Sequence, residues 1–224
     1  MISFFEIYVA HWHEWWPDLQ AAAANTLALT GYSYLIAIVF GLIVALAKLS
    51  RSRLLSGVAT TYVELMRGVP TLVILFLLYF GLVPLGVTFN AFNAGAIGLG
   101  IHAAAYVAEI FRGGIEAIHK GQREAALAVG MTPNQCFRSI ILPQAVGIMM
   151  PPLLNMLVIL LKDTSICSLI STPEMMLRAK EIASIYFRPM HLYVLAGGMY
   201  FVMAWPLSLA ARRLGKRFRR GRRD

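Results

Sequence analysis

The chain has 224 residues, of which 58% are hydrophobic and 14% are charged, and this balance is too apolar for an ordinary soluble domain. Its formal net charge of +9 does not indicate a nucleic-acid partner. Eight of the twenty Lys and Arg residues lie between Arg212 and Arg223, and no base-reading module accompanies them. The chain is therefore predicted to be an all-α protein that crosses a membrane several times.

The first 25 residues contain no Lys or Arg and carry three tryptophans beside two histidines: Trp12, Trp15, Trp16, His11 and His13. Tryptophans near a span are typical of the membrane–water interface, so residues 1–25 are predicted to form an external, interfacial segment. A metal site is the weaker interpretation, because no third ligand accompanies the His-x-His pair. The first span is predicted over residues 27–47, with Asn25 or Thr26 as its N-cap.

The next apolar stretch is long enough to cross a membrane twice. Residues 68–108 contain no Asp, Glu, Lys or Arg, and a single crossing needs only about 20 residues. Gly68 and Pro70 argue against one uninterrupted helix and predict a break, with a new half-helix starting near Thr71. The following span is predicted over residues 93–109.

A polar segment, residues 120–145, then interrupts the apolar chain and predicts two short helices joined by a turn. Gly130 suits the positive φ that often ends a helix. Thr132 is placed as the N-cap of the second helix, with a proline next and Gln135 as its capping-box partner. Pro143 is expected to end the segment.

Two further spans are predicted over residues 146–161, where a Pro-Pro pair predicts a kink, and over residues 189–211. An external amphipathic helix, residues 173–188, is expected between them. Residues 212–224 form a basic cytoplasmic tail. Five spans, an external N-terminus and a cytoplasmic C-terminus place the main basic clusters inside, as the positive-inside rule requires.

The sequence contains no recognisable motif for nucleotide binding, catalysis or metal binding. The patterns GxxxxGK[ST], GxSxG, HExxH and CxxC are absent, and the two cysteines, Cys136 and Cys167, offer no disulfide framework. The chain is therefore predicted not to be an enzyme and to hold no metal or cofactor. Any ATP on which it depends must be bound by a partner chain.

The polar segment also matches the pattern EAA-x3-G-x9-I-x-L-P at seven positions: Glu124, Ala125, Ala126, Gly130, Ile140, Leu142 and Pro143. This pattern resembles the cytoplasmic coupling loop of ABC importer permeases. Three other stretches, YVELMRGVPTLVILFLLYFGL from Tyr62, AAYVAEIFRGGIEAIHKGQ from Ala104 and LLKDTSICSLI from Leu160, resemble the polar-amino-acid subfamily, whose members include histidine, glutamine, arginine and glutamate importers.

The resemblance implies a type I importer fold with five transmembrane helices. Residues 26–211 would form the permease domain, with the coupling loop at about residues 119–143. It also implies a set of partners in a bacterial inner membrane. These are ATPase subunits that bind ATP and Mg²⁺, a second permease subunit, identical or paralogous, an external binding protein and an amino acid. A permease of the same architecture for an opine or a small organic ion is the alternative.

Two sets of residues inside the membrane are candidates for the transport path. The substrate-binding candidates are Gly68, Pro70, Thr71, Asp163, Thr164 and Ser165. The gating or ion-pair candidates are Glu64, Arg67, Glu109 and Arg112. The free N–H groups of a half-helix at Thr71 would hold a carboxylate, and Asp163 would hold an ammonium. For Asp163, a structural pair with Lys162 or a capping role stays open.

Overall fold

The computed structural model describes residues 4–220, with side chains described for residues 5–216. Nine α-helices follow one another along this part of the chain: α1 Phe4–Lys48, α2 Arg53–Gly68, α3 Thr71–Phe76, α4 Ala91–Glu116, α5 Lys120–Ala128, α6 Pro133–Cys136, α7 Leu142–Asp163, α8 Met175–Tyr186 and α9 Pro189–Arg220. Two π-helical segments, Leu77–Gly81 and Phe137–Ile141, and two 3₁₀ segments, Val83–Leu85 and Thr164–Ile170, complete the described helical structure.

Within the described residues, four stretches are long and apolar enough to cross a membrane: Phe5–Lys48, Ala91–Glu116, Pro133–Ile170 and Pro189–Lys216. A fifth crossing is formed if α2 and the stretch Thr71–Leu85, which meet at a bend of 105°, count as one broken span. The predicted all-α, polytopic fold with up to five spans is therefore confirmed. The break at Gly68 and Pro70 is confirmed as well.

The first helix differs from its prediction. It begins at Phe4 and continues without a break to Lys48, so Asn25 and Thr26 lie inside the helix, and their prediction as its N-cap is wrong. Its 45 residues span about 67 Å, more than twice a hydrocarbon core of about 30 Å. A large part of α1 must therefore lie outside that core.

Packing explains why the N-terminal part of α1 stays helical. Trp15 is buried and packs with Leu19 against α8 and α9. The His11 ring stacks on Trp15 at 5.2 Å between centroids, and its Nδ1 lies 3.0 Å from Glu14 Oε2. No cluster of potential metal ligands occurs among the described residues. His11 thus serves packing and pairing here.

Helix α4 lies at the centre of the bundle, where 61% of its apolar window is buried, against 6% for α9. Two glycines let α1 and α4 approach closely. A Cβ at Gly41 would lie 2.7 Å from Val107, and one at Gly100 would lie 2.7 Å from Ile36. Contacts of this kind are the usual basis of helix association in membranes. Most of α9 is exposed on the outside of the helix bundle.

Helix α8 is fixed by a buried carboxylate. Glu174 is its N-cap and accepts from the backbone N–H groups of Met176 at 2.9 Å and Leu177 at 2.7 Å. The Tyr200 hydroxyl of α9 donates to the same carboxylate at 2.6 Å. Burial raises the pKa of the Glu174 carboxyl above its ordinary value. The predicted helix over residues 173–188 is confirmed, and Thr26 of α1 completes its first turn by accepting from Met175 N–H at 3.0 Å.

The last helix also runs further than predicted. Helix α9 extends from Pro189 to Arg220, so the tail expected from residue 212 onward begins as a continuation of the helix. The Arg212 guanidinium lies 5.4 Å from the Trp205 ring centroid, a cation–π contact at the start of this extension. Residues 221–224 of the predicted tail lie outside the described residues.

Candidate functional site

The predicted coupling loop forms two helices around a sharp turn. Helix α5 ends at Ala128, and Gly130 has φ 84°, the left-handed conformation that favours glycine. Thr132 caps α6. Its hydroxyl accepts from Gln135 N–H at 3.3 Å, and the Gln135 side chain accepts from Thr132 N–H at 2.8 Å. The capping box is confirmed, and it fixes the start of α6.

The end of this loop differs from its prediction. Pro143 was expected to end the segment, but the chain continues as one helical stretch from Pro133 through the π-helical turn into α7. A proline removes one backbone donor and displaces the preceding turn, and a π-helical turn directly before it absorbs that change. The Gln144 side chain donates to the Ile140 carbonyl at 2.9 Å across the same turn. The second helix of the loop is therefore joined rigidly to a membrane span.

The side chains of the loop divide into an inward and an outward set. Ala126 and Cys136 are buried against the rest of the chain. Glu124, Ala125, Gly130, Leu142 and Pro143 are exposed, and Ile140 is half-buried. The loop therefore exposes the Glu124 carboxylate beside apolar side chains, on helices that the turn and the capping box hold rigid. An exposed surface of this kind is suited to docking another protein.

Comparison with known proteins shows the family to which this chain belongs. The family model described as "Binding-protein-dependent transport system inner membrane component" matches residues 37–224. The chain belongs to this family. It is 40% identical to the probable amino-acid ABC transporter permease protein YckA of Bacillus subtilis (strain 168) over 198 residues, 88% of this chain and 86% of that protein.

Two further similarities agree. The nopaline transport system permease protein NocM of Agrobacterium fabrum (strain C58 / ATCC 33970) is 36% identical over 87% of this chain and 85% of its own length. The crystal structure of an amino acid ABC transporter with histidines superimposes with a TM-score of 0.88 at 35% identity, covering 97% of this chain and 99% of that one. The permease is therefore a membrane component and not itself the catalytic subunit.

Three of the substrate candidates, Gly68, Pro70 and Thr71, lie at the break in the second span. The backbone leaves α2 at Gly68, and α3 begins at Thr71 directly after Pro70. The Thr71 hydroxyl lies 3.3 Å from His102 Nδ1 of α4, a contact that the sequence did not indicate. Helix α3 also packs against the 3₁₀ segment Thr164–Ile170. The break and the end of α7 are thus neighbours in the fold.

Asp163 lies half-buried at the end of α7, directly beside Lys162 in the chain. It forms no salt bridge with Lys162, and its side chain makes no capping hydrogen bond to the 3₁₀ segment, within the part of the chain that the structure describes. The Thr164 and Ser165 hydroxyls donate to the carbonyls of Leu161 at 2.8 Å and of Lys162 at 2.7 Å. Thr164 is fully buried and Ser165 half-buried. Substrate contact by these residues stays a prediction.

The gating candidates form a larger charge network than predicted. Glu109 accepts from Arg112 Nη2 at 2.7 Å, as the spacing indicates, but it also accepts from Lys48 Nζ of α1 at 2.5 Å. Arg112 Nη1 donates to Glu116 Oε2 at 2.5 Å. The sequence gives no local signal of the contact between Lys48 and Glu109, because the two residues are 61 positions apart.

The remaining two gating candidates stay outside this network. Arg67 lies over the Tyr106 ring, with its guanidinium carbon 5.6 Å from the ring centroid. Glu64 is exposed one turn earlier on α2 and forms no salt bridge with Arg67 among the described side chains. The four candidates therefore do not act as one cluster. Glu109 and Arg112 belong to the network, and Arg67 and Glu109 both line a cavity of about 380 Å³ between α2, α4 and α7, which Asn155 lines as well.

Proposed function

We propose that this permease moves a polar amino acid across the bacterial inner membrane, after receiving it from an external binding protein. The observation that carries this proposal is the match over 97% of the chain to a solved amino acid ABC transporter, at a TM-score of 0.88. The 40% identity to YckA, a probable amino-acid permease, supports the same substrate class. Import of an opine is the second candidate, because NocM is 36% identical.

Energy for this transport comes from ATPase subunits that bind ATP and Mg²⁺ and dock on the loop built from α5 and α6. The exposed Glu124 and the turn at Gly130 support this role, because a rigid, outward-facing helix pair can transmit movement to α7. A second permease subunit, identical or paralogous, completes the membrane part. The low burial of α9, 6% of its window, leaves ample surface for lipid and for such a partner.

Two sites along the path hold the substrate's charges in this proposal. Asp163 binds the ammonium group, because its half-buried carboxylate is without a salt-bridge partner in the described region and a charge at membrane depth needs one. The break at Gly68 and Pro70, beside Thr71, exposes backbone groups where a carboxylate can bind. The packing of α3 against the 3₁₀ segment after Asp163 brings these groups to one side of the bundle.

The proposed orientation places the N-terminus outside and the basic C-terminus inside. A cysteine introduced by Val87→Cys, in the exposed turn after α3, is expected to react with an impermeant thiol reagent added to intact cells. Lys216→Cys is expected to react only after permeabilisation. Both native cysteines, Cys136 and Cys167, are buried, so the background will be low. The reverse labelling pattern would place the coupling loop on the wrong side for an ATPase.

Reconstitution tests the transport function itself. Proteoliposomes that contain the permease, its ATPase and its binding protein are assayed for uptake of each of the twenty amino acids and of nopaline. Stimulated ATP hydrolysis and uptake of one or a few polar amino acids are expected. Uptake of nopaline alone would establish the opine alternative. If no substrate stimulates ATP hydrolysis, the chain is a membrane scaffold that does not transport a solute.

A further inference from the structure

A groove of about 570 Å³ lies between the N-terminal half of α1 and the first half of α9. Its α1 wall is formed by Phe5, Tyr8, Trp12, Trp16 and Ala23. Residues between Val194 and Met203 form the α9 wall. Trp12 and Trp16 stack at 4.6 Å between ring centroids, so they make one continuous aromatic surface.

The groove is almost entirely apolar. No charged side chain lines it in the described part of the chain, and the Tyr8 hydroxyl already donates to the His191 carbonyl at 3.0 Å. An apolar cavity offers ordered water no hydrogen-bond partners, whereas it can hold an apolar ligand. The volume falls within the range of small-ligand sites. The groove is therefore suited to a hydrocarbon chain.

Its position along α9 places the groove at membrane depth. Residues 194–203 follow the first residue of this helix, Pro189, by about 8 to 21 Å along the helix axis. Helix α9 is one of the candidate spans, and the hydrocarbon core of a bilayer is about 30 Å thick. The groove therefore opens towards the half of the bilayer that adjoins the turn between α8 and α9.

The turn between α8 and α9 carries the features of a bilayer surface. Phe187 is 87% exposed and Met190 is 65% exposed, and such side chains are more favourable at a membrane interface than in water. Arg188 lies between them, is exposed and forms no salt bridge among the described side chains. A guanidinium at this level is placed to bind the phosphate of a phospholipid.

The N-terminal half of α1 has the amphipathic form of an interfacial helix. Phe5, Trp12 and Trp16 lie on the face towards the groove, at helical spacing. Glu6 and Glu14 are exposed and lie off this face. A helix of this kind lies at a membrane surface with its aromatic face towards the acyl chains.

Lipid is favoured over a protein chain as the occupant because of where the bundle exposes polar groups. Arg67 and Asn155 are exposed at membrane depth on α2 and α7, and their hydrogen-bonding groups need water or another protein chain. The groove is formed by α1 and α9 and presents no such requirement. The side of the bundle with the groove is therefore expected to border lipid.

We propose that this groove binds an acyl chain of a phospholipid whose phosphate group contacts Arg188. The bound chain fills the gap between α1 and α9 and supplies dispersion contacts to Trp12 and Trp16. Under the orientation proposed above, this lipid belongs to the outer leaflet. The site does not depend on which solute the permease transports.

Tryptophan quenching tests the site directly. The complex of the permease with its ATPase subunits is delipidated in detergent and titrated with phosphatidylglycerol that carries bromine, a contact quencher, on its acyl chains. The chain carries Trp205→Phe, because Trp205 is exposed and does not line the groove. Saturable quenching at about one lipid per permease chain is expected.

The role of the phosphate is tested separately. Arg188→Gln is expected to weaken the binding of brominated phosphatidylglycerol by about tenfold, the effect of one lost charge-assisted contact. Brominated diacylglycerol, which lacks a phosphate, should bind equally well with and without this substitution. Equal binding of phosphatidylglycerol in both chains would overturn the contact with Arg188.

Two adjacent glycines supply the matched control. A Cβ at Gly197 or Gly198 would meet no atom within 4 Å, but of the two only Gly198 lines the groove. Gly198→Phe is expected to fill the groove and remove the saturable quenching, and Gly197→Phe is expected to leave it unchanged. ATP hydrolysis by each complex checks its assembly. If Gly198→Phe does not assemble, Val202→Asn makes an exposed position of the groove polar and should weaken the quenching.

Two results would overturn the site. Quenching that rises in proportion to lipid and is the same in Gly198→Phe would show contact with bulk lipid only. Absence of quenching in the assembled complex would show that a second copy of the chain or another protein covers the groove.

Discussion

Glu124→Lys is expected to leave the permease folded and inserted while transport falls by about thirtyfold or more. Glu124 is exposed on α5, so the substitution does not disturb the packing of the chain. In the proposed interface, loss of the Glu124 carboxylate and its replacement by a charge of the opposite sign is expected to cost about 2 kcal/mol or more. Uptake in proteoliposomes, together with ATP hydrolysis at equal membrane levels, measures the uncoupling.

The turn of the loop allows a second, independent variant. Gly130 has φ 84°, which proline cannot adopt and which asparagine tolerates better than other residues. Gly130→Pro is therefore expected to uncouple transport as Glu124→Lys does, and Gly130→Asn is expected to retain most of it. Gln122→Lys is the charge control, because Gln122 lies one turn before the buried Ala126 and so on the opposite side from Glu124. Wild-type uptake in both Glu124→Lys and Gly130→Pro would remove the coupling role.

Asp163→Asn is expected to abolish uptake while ATP hydrolysis stimulated by the loaded binding protein survives in part. The amide keeps the shape of the side chain but removes the charge that binds the ammonium group in the proposed path. Asp163→Glu should retain partial uptake, because the charge is kept and displaced by one methylene. Uptake at saturating substrate and apparent affinity are measured for each variant.

Lys162→Met distinguishes substrate binding from a structural role. Lys162 is exposed and forms no salt bridge with Asp163 in the described chain, so its loss should leave uptake near the wild-type level. If Asp163→Asn transports at the wild-type rate and affinity, the ammonium group is held elsewhere. If Lys162→Met has the same effect as Asp163→Asn, the two residues act as a structural pair.

The sequence by itself determined the features whose causes are local. The turn at Gly130 and the capping box of Thr132 and Gln135 depend on residues within one or two helical turns, and the structure contains both. The break after Gly68 follows from the absence of a backbone donor at Pro70, and the bend of 105° lies there. The number of spans follows from the length of the apolar stretches, because a bilayer has a fixed thickness.

Only the tertiary structure decided the features that depend on distant neighbours. The packing of Trp15 against α8 and α9 keeps the N-terminal half of α1 helical, although local signals at Asn25 and Thr26 favoured a helix start there. Lys48 reaches Glu109 because α1 and α4 approach closely where glycine has no side chain. The cavity with Arg67 and Asn155 exists because α2, α4 and α7 meet. Periodicity and residue spacing in the sequence do not indicate that these three helices pack together, because the packing is stabilised by contacts between residues that are far apart in the chain.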